Sequence, residues 1–123
     1  MTQEDRQILL KDLSSRLPYG VRYRRFAWDD KRGEECISAK IYSISPDGYV
    51  RNYHKDESDY IDNVRPYLFP LSSITKKRLE ELSEYIDIKN AYVAVDLLNS
   101  HHIDYRGLIE KGLAIDATGL NIY

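Results

Sequence analysis

Leu9, Leu10, Leu13 and Leu17 recur at three- and four-residue spacing and fall on one stripe, which predicts an amphipathic helix from about Gln3 to Leu17. Thr2 with Asp5 three residues on is the signature of a capped N-terminus, and Pro18 and Gly20 end the pattern. The period then changes. Runs rich in tyrosine and β-branched residues predict strands over Gly20 to Trp28, Glu35 to Ile44 and Tyr49 to Tyr53, with a further short strand around Tyr60 to Val64. Asp29 to Gly33 and Ser45 to Gly48 carry the chemistry of the intervening turns. Pro66 and Pro70 push their predecessors out of the helical region and predict an extended connector over Arg65 to Leu71. Beyond it the helical period returns. Ser72, Ser73 and Thr75 offer caps for a helix to about Ile86 with Leu79, Leu82 and Ile86 on its stripe. A second helix, Asn90 to Ser100, turns Val93, Leu97 and Leu98 inward. A short third one, Tyr105 to Lys111, stops at Gly112, and Leu113 to Ile115 reads as an extended tail.

This order predicts the α+β class: an N-terminal helix, a small antiparallel SH3-like or open-barrel sheet of three or four strands, and a C-terminal helical cap. A chain of 123 residues is expected to form one domain, with helix and β-meander over 1–64, connector over 65–71 and cap over 72–123. The expected core is Leu9, Leu13, Ile37, Ile41, Val50, Leu79, Leu82, Val93 and Leu97.

The charge of −2, with 31% charged residues of both signs, argues against a surface adapted as a whole to duplex nucleic acid and leaves room for a local basic patch. Cys36 stands alone, so neither an intramolecular disulfide nor a four-cysteine zinc site can form, and a reducing compartment fits best. No apolar run reaches bilayer length, and the polar, acidic start is unlike a signal peptide. A cytoplasmic protein without a membrane partner is the expectation.

Alternation along the strands predicts a binding face. Ile37, Ala39 and Ile41 point one way and Ser38, Lys40 and Tyr42 the other, and Val50 likewise opposes Tyr49, Arg51 and Tyr53. With Val21 and Tyr23 inward, Arg22 and Arg24 join the outer face, and Phe26 or Trp28 lies at its edge. The candidate ligand-binding set is therefore Arg22, Arg24, Lys40, Tyr42, Tyr49, Arg51 and Tyr53. Tyrosine rings stack on bases and guanidinium groups hold phosphates, so this set points to nucleotides or single strands. The competing reading is an ordinary solvated sheet, since the same residues make good cross-strand neighbours. A covering helix or a second subunit is also compatible with it, and with it a homo-oligomer.

His101, His102, Asp104 and Arg106 form an alternative cluster, in which Asp104 would orient an imidazole for acid–base work, Arg106 would stabilise an anion, and His54 would join from the strand zone. Adjacent histidines on a helix point about 100° apart and chelate poorly, so no metal site is expected. The structural alternative makes one histidine a cap of the carbonyls near Ser100 and Asp104 the N-cap of the next helix. Phosphate-loop, nucleophile-elbow and zinc-helix motifs are missing, so neither catalytic residues nor a cofactor are expected. Lys76, Lys77 and Arg78 form a short basic run that would serve an acidic partner or simply be solvated.

The segments Lys11 to Val21 (KDLSSRLPYGV), Arg65 to Thr75 (RPYLFPLSSIT) and Asn99 to Ala114 (NSHHIDYRGLIEKGLA) resemble an uncharacterised family of small proteins encoded by phages and prophages of gut bacteria. The resemblance covers about a third of the chain and transfers no catalytic residue. It implies a phage-type protein in a host bacterial cell, where small accessory proteins antagonise host defence. The leading expectation is a non-enzymatic binding protein that sequesters a nucleotide-derived signal or masks a host defence protein. The alternatives are a nucleic-acid-binding regulatory module and a small hydrolase centred on the histidines.

Overall fold

The computed structural model describes residues 1–25, 39–53, 58–74, 80 and 91–123, and the side chains of all these except 91–93. Its first helix, α1 (Gln3–Arg16), starts at a capping box: Thr2 accepts from the Asp5 N–H at 3.1 Å, and the Asp5 carboxylate accepts from the Thr2 N–H at 3.2 Å. The stripe α1 buries is not purely apolar. Leu9, Asp12, Leu13 and Arg16 are all fully buried, while Leu10 and Leu17 are only partly so.

Among the described residues the sheet has seven strands: β1 (Arg22–Arg25), β2 (Ala39–Ile44), β3 (Tyr49–Asn52), β4 (Ser58–Tyr60), β5 (Val64–Pro70), β6 (Ile103–Asp104) and β7 (Ile115–Asp116). Strands pair in the order β4-β3-β2-β1-β5-β6, and β7 also pairs with β5. The first five run antiparallel to their neighbours, and the last two add to β5 in parallel. Between Ile41 and Ser43 of β2 the register against β3 slips by one residue, placing a bulge at Tyr42. The sheet is strongly curled. Two strands separate β1 from β4, a distance of about 14 Å in a flat sheet, yet the Tyr23 hydroxyl donates to Asp59 Oδ2 at 2.6 Å.

Inside the curl, Val21, Tyr23, Ile41, Val50, Ile61, Val64 and Leu68 meet Leu9 and Leu13 of α1 and Leu108, Leu113 and Ala114 from the end of the chain. Each fully buried leucine or isoleucine there contributes roughly 1.5–3 kcal/mol. Of the expected core, Leu9, Leu13, Ile41 and Val50 are in this cluster and Leu97 is half-buried. Ile37, Leu79, Leu82 and the Val93 side chain lie outside the described residues, as do most of the helix expected to run to Ile86, the basic run at 76–78, His54, Phe26 and Trp28.

Four expectations need correction. Three or four strands are too few. The connector over Arg65 to Leu71 is a paired strand: the prolines keep it extended as foreseen, and the ladder tolerates them because Phe69 donates to the His102 carbonyl and the Leu68 carbonyl accepts from Ala117, both at 2.8 Å. The strand foreseen over Tyr60 to Val64 ends at Tyr60, where Ile61–Asn63 form a 3-10 turn. The helix foreseen over Tyr105 to Lys111 is a series of turns, because Gly107 takes a left-handed conformation (φ 72°) inside it. The second helix of the described residues, α2 (Ala91–Ser100), matches the expected span, but beyond it the chain returns to the sheet as β6 and β7.

Candidate functional site

Strand alternation and the curl separate two groups of polar residues, one outside the sheet and one buried against α1. Outside, β1 presents Arg22 and Arg24, β2 presents Lys40 and Tyr42, β3 presents Tyr49 and Arg51 with Tyr53 just beyond, and β4 presents Ser58 and Tyr60. Among the described residues this face holds four cations and no carboxylate, on a chain whose net charge is −2. The one acid of β4, Asp59, is turned inward, where it binds Tyr23 and pairs with Arg25 Nε at 2.6 Å.

The tyrosines on this face come in cross-strand pairs. Tyr42 and Tyr53 meet edge to face with ring centroids 5.1 Å apart, and Tyr49 and Tyr60, directly opposite each other in the ladder, meet at 5.4 Å. Pairs of this kind stabilise a sheet by about 0.5–1.5 kcal/mol. Their rings nonetheless remain in water: Tyr42 is 57% exposed, Tyr53 59%, Tyr49 45% and Tyr60 37%. The bulge adds an extra outward residue to β2, and that residue is Tyr42. The β2–β3 turn sets the other pair, since Gly48 takes a φ of 92° and a Cβ there would lie 3.2 Å from the Tyr60 ring. The Lys40 ammonium sits 5.2 Å from the centre of the Tyr53 ring, within cation–π range. Flat rings, positive charge and solvent access can stack a base and neutralise its phosphate.

The inner group is centred on Asp12. Its carboxylate accepts from Arg16 Nε at 2.8 Å and Nη2 at 3.1 Å, and from Arg106 Nη1 at 2.6 Å. Arg16 Nη2 also donates to the Ile103 carbonyl at 2.5 Å. Tyr105 completes the set: its ring lies beneath the Arg16 and Arg106 guanidinium groups at 5.1 and 4.6 Å, and its hydroxyl donates to Asn99 Oδ1 at 2.8 Å. Next to this set the His102 ring stacks on Tyr123 at 3.6 Å, and the Tyr123 hydroxyl bridges β1 and β5 by accepting from the Arg22 N–H at 2.9 Å and donating to the Tyr67 carbonyl at 2.7 Å. Burial raises the Tyr123 hydroxyl pKa to about 12. These contacts tie α1, β1, β5, β6 and α2 together.

In the inner group the two carboxylates are satisfied. Asp12 is held by two guanidinium groups, and Asp104 accepts from the Leu108 and Ile109 N–H groups at 2.9 Å each. Asp104 thus closes a turn and not the helix start expected at Tyr105, which does not form; its two carboxylate oxygens are taken by these N–H groups and not by an imidazole. His102 Nδ1 has no hydrogen-bond partner among the described residues, and neither has Arg16 Nη1. Burial first, and the nearby Arg16 and His101 charges after it, lower the His102 pKa to about 4, so its ring is neutral at physiological pH. The histidines meet the last carbonyls of the preceding helix through their main chain. His101 N–H donates to Leu97 O and His102 N–H to Asn99 O, and His102 adopts a left-handed φ of 58°. Among the described residues no group of three or more His, Cys, Asp or Glu is placed to hold a metal ion, and no helix is long and apolar enough to cross a membrane.

All seven residues of the sequence-derived ligand set lie on the outer sheet face, whereas of the alternative cluster Asp104 serves a turn, Arg106 serves Asp12, and His102 packs on Tyr123. Sequence reasoning missed Tyr60, which the alternation Ser58, Asp59, Tyr60 would have placed outward. It also missed Asp12 and Arg16, whose signal was their spacing on the stripe of Leu9 and Leu13. No family model, curated protein or solved structure matches this chain.

Proposed function

We propose that this protein is a non-enzymatic binding module that takes up nucleobase-bearing anions on the outer face of β1 to β4. One observation carries the reading: two solvent-exposed tyrosine pairs stand among Arg22, Arg24, Lys40 and Arg51 on a face without a carboxylate among the described residues. The strand order β4-β3-β2-β1-β5, with a 3-10 turn joining β4 to β5, supports describing the antiparallel part as a small SH3-like barrel.

The biological setting we infer is the one implied by the resemblance to phage and prophage proteins: antagonism of host defence in the bacterial cytoplasm, by withholding a nucleotide-derived signal or a nucleic acid. Calorimetry with cyclic dinucleotides, ADP-ribose derivatives and short oligonucleotides tests the binding. At least one class is expected to bind, and Arg51→Ala is expected to weaken it by about 1–3 kcal/mol through loss of a charge-assisted contact. Failure of every class to bind would overturn the reading and leave masking of a host protein as the function to pursue.

A further inference from the structure

The spacing of the tyrosine pairs carries the reading further. Tyr49 opens β3 and Tyr53 stands four residues on, just past its end, where its N–H still donates to the Lys40 carbonyl; extended backbone separates the two by about 13 Å, and Arg51 projects from the same face midway between them. Each end has its own platform: Tyr49 with Tyr60 at one, Tyr53 with Tyr42 and Lys40 at the other. A nucleotide drawn out of the stacked duplex spacing of 3.4 Å per strand spans up to roughly twice that distance, so about two nucleotide steps bridge the two platforms.

We infer that the ligand of this face is a single-stranded nucleic acid of at least three nucleotides, with its first and third bases stacked on the two tyrosine pairs and the intervening phosphates held at Arg51. The inference rests on the binding role proposed above and narrows it. Charge and geometry both favour this occupant over a protein. The face is cationic among its described residues, and its exposed described rings are arranged in two separated pairs, unlike the single apolar patch a protein partner buries. A duplex does not fit, because its bases are stacked on one another and closed to the rings.

The test is a length series of single-stranded homopolymers, from mononucleotide to hexanucleotide, with a cyclic dinucleotide and a duplex of the hexanucleotide alongside, all titrated into the full chain at fixed salt. The expected result is affinity that rises by about tenfold or more between mononucleotide and trinucleotide and then levels off, with the duplex much weaker. The exposed substitution Tyr49→Ala, checked for a cooperative melt that keeps the protein folded at the titration temperature, is expected to reduce trinucleotide affinity to that of the mononucleotide. If the mononucleotide or cyclic dinucleotide binds as tightly as the trinucleotide, the two-platform inference is overturned and the binding role stands. If the duplex binds as tightly as the single strand, base stacking is overturned and only a basic surface is left. If nothing in the series binds, both fall.

Discussion

Replacing Asp12 by Ala lowers the stability of this protein by about 3–5 kcal/mol, the cost of leaving a buried cation without its partner. Arg16 is fully buried, and its Nε and Nη2 both depend on the Asp12 carboxylate. Arg106, which is partly exposed, also loses its 2.6 Å contact, but it can turn towards water. Arg16 cannot. The wild-type pair is itself costly to desolvate, so a double substitution, Asp12→Leu with Arg16→Met, is expected to recover much of the loss by putting apolar groups of similar size on the same stripe as Leu9 and Leu13. Urea unfolding of the wild type, the single variant and the double variant measures this. A single variant within 1 kcal/mol of wild type, on the scale of a typical surface pair, would show that Arg16 reaches solvent or another partner.

Acidification from pH 7 to 4.5 removes about 2–3 kcal/mol of stability through His102 alone. The sign follows from the direction of its shift. The folded pKa, about 4, lies below the ordinary value of 6.5, so the fold prefers the neutral ring. This preference is fully present above pH 6.5 and is lost as the pH falls towards 4. Protonation would place a second cation beside Arg16 in a site where burial disfavours any charge. His102→Asn keeps a residue that tolerates the left-handed backbone at this position and removes the titration. The variant is expected to lose less stability than wild type between pH 7 and 4.5, by that same margin, in paired thermal melts. The carboxylates titrate in both proteins and cancel in the difference. Equal losses would mean that His102 is accessible to protons in the folded state.

The outer face was legible in the sequence because it depends on local rules. Strand alternation assigned Lys40, Tyr42, Tyr49, Arg51 and Tyr53 to one side from their spacing alone, and curling the sheet does not move a residue from one side to the other. The inner cluster was not legible, because it depends on long-range pairing. Asp12 and Arg16 look like a surface pair at i and i+4 until the Ile103 carbonyl and Arg106, some ninety residues away in the chain, are brought against them. The same limit hid β5: prolines at 66 and 70 announce extended backbone, but nothing local shows that β6 and β7 will come alongside. At His102 the local rule misleads. A left-handed helix end calls for glycine, and the histidine there makes sense only once its ring is seen stacked on Tyr123.

Tyrosine-selective NMR during titration with a short single-stranded oligonucleotide tests the central claim most directly, because the 11 tyrosines sample the outer face, the core and the inner cluster together. The ring signals of Tyr42, Tyr49, Tyr53 and Tyr60 are expected to shift and saturate together, while buried Tyr23 and Tyr67 stay in place. Shifts centred on Tyr105 and Tyr123 would move the binding site to the Asp12 and His102 cluster and contradict the assignment of function to the sheet face.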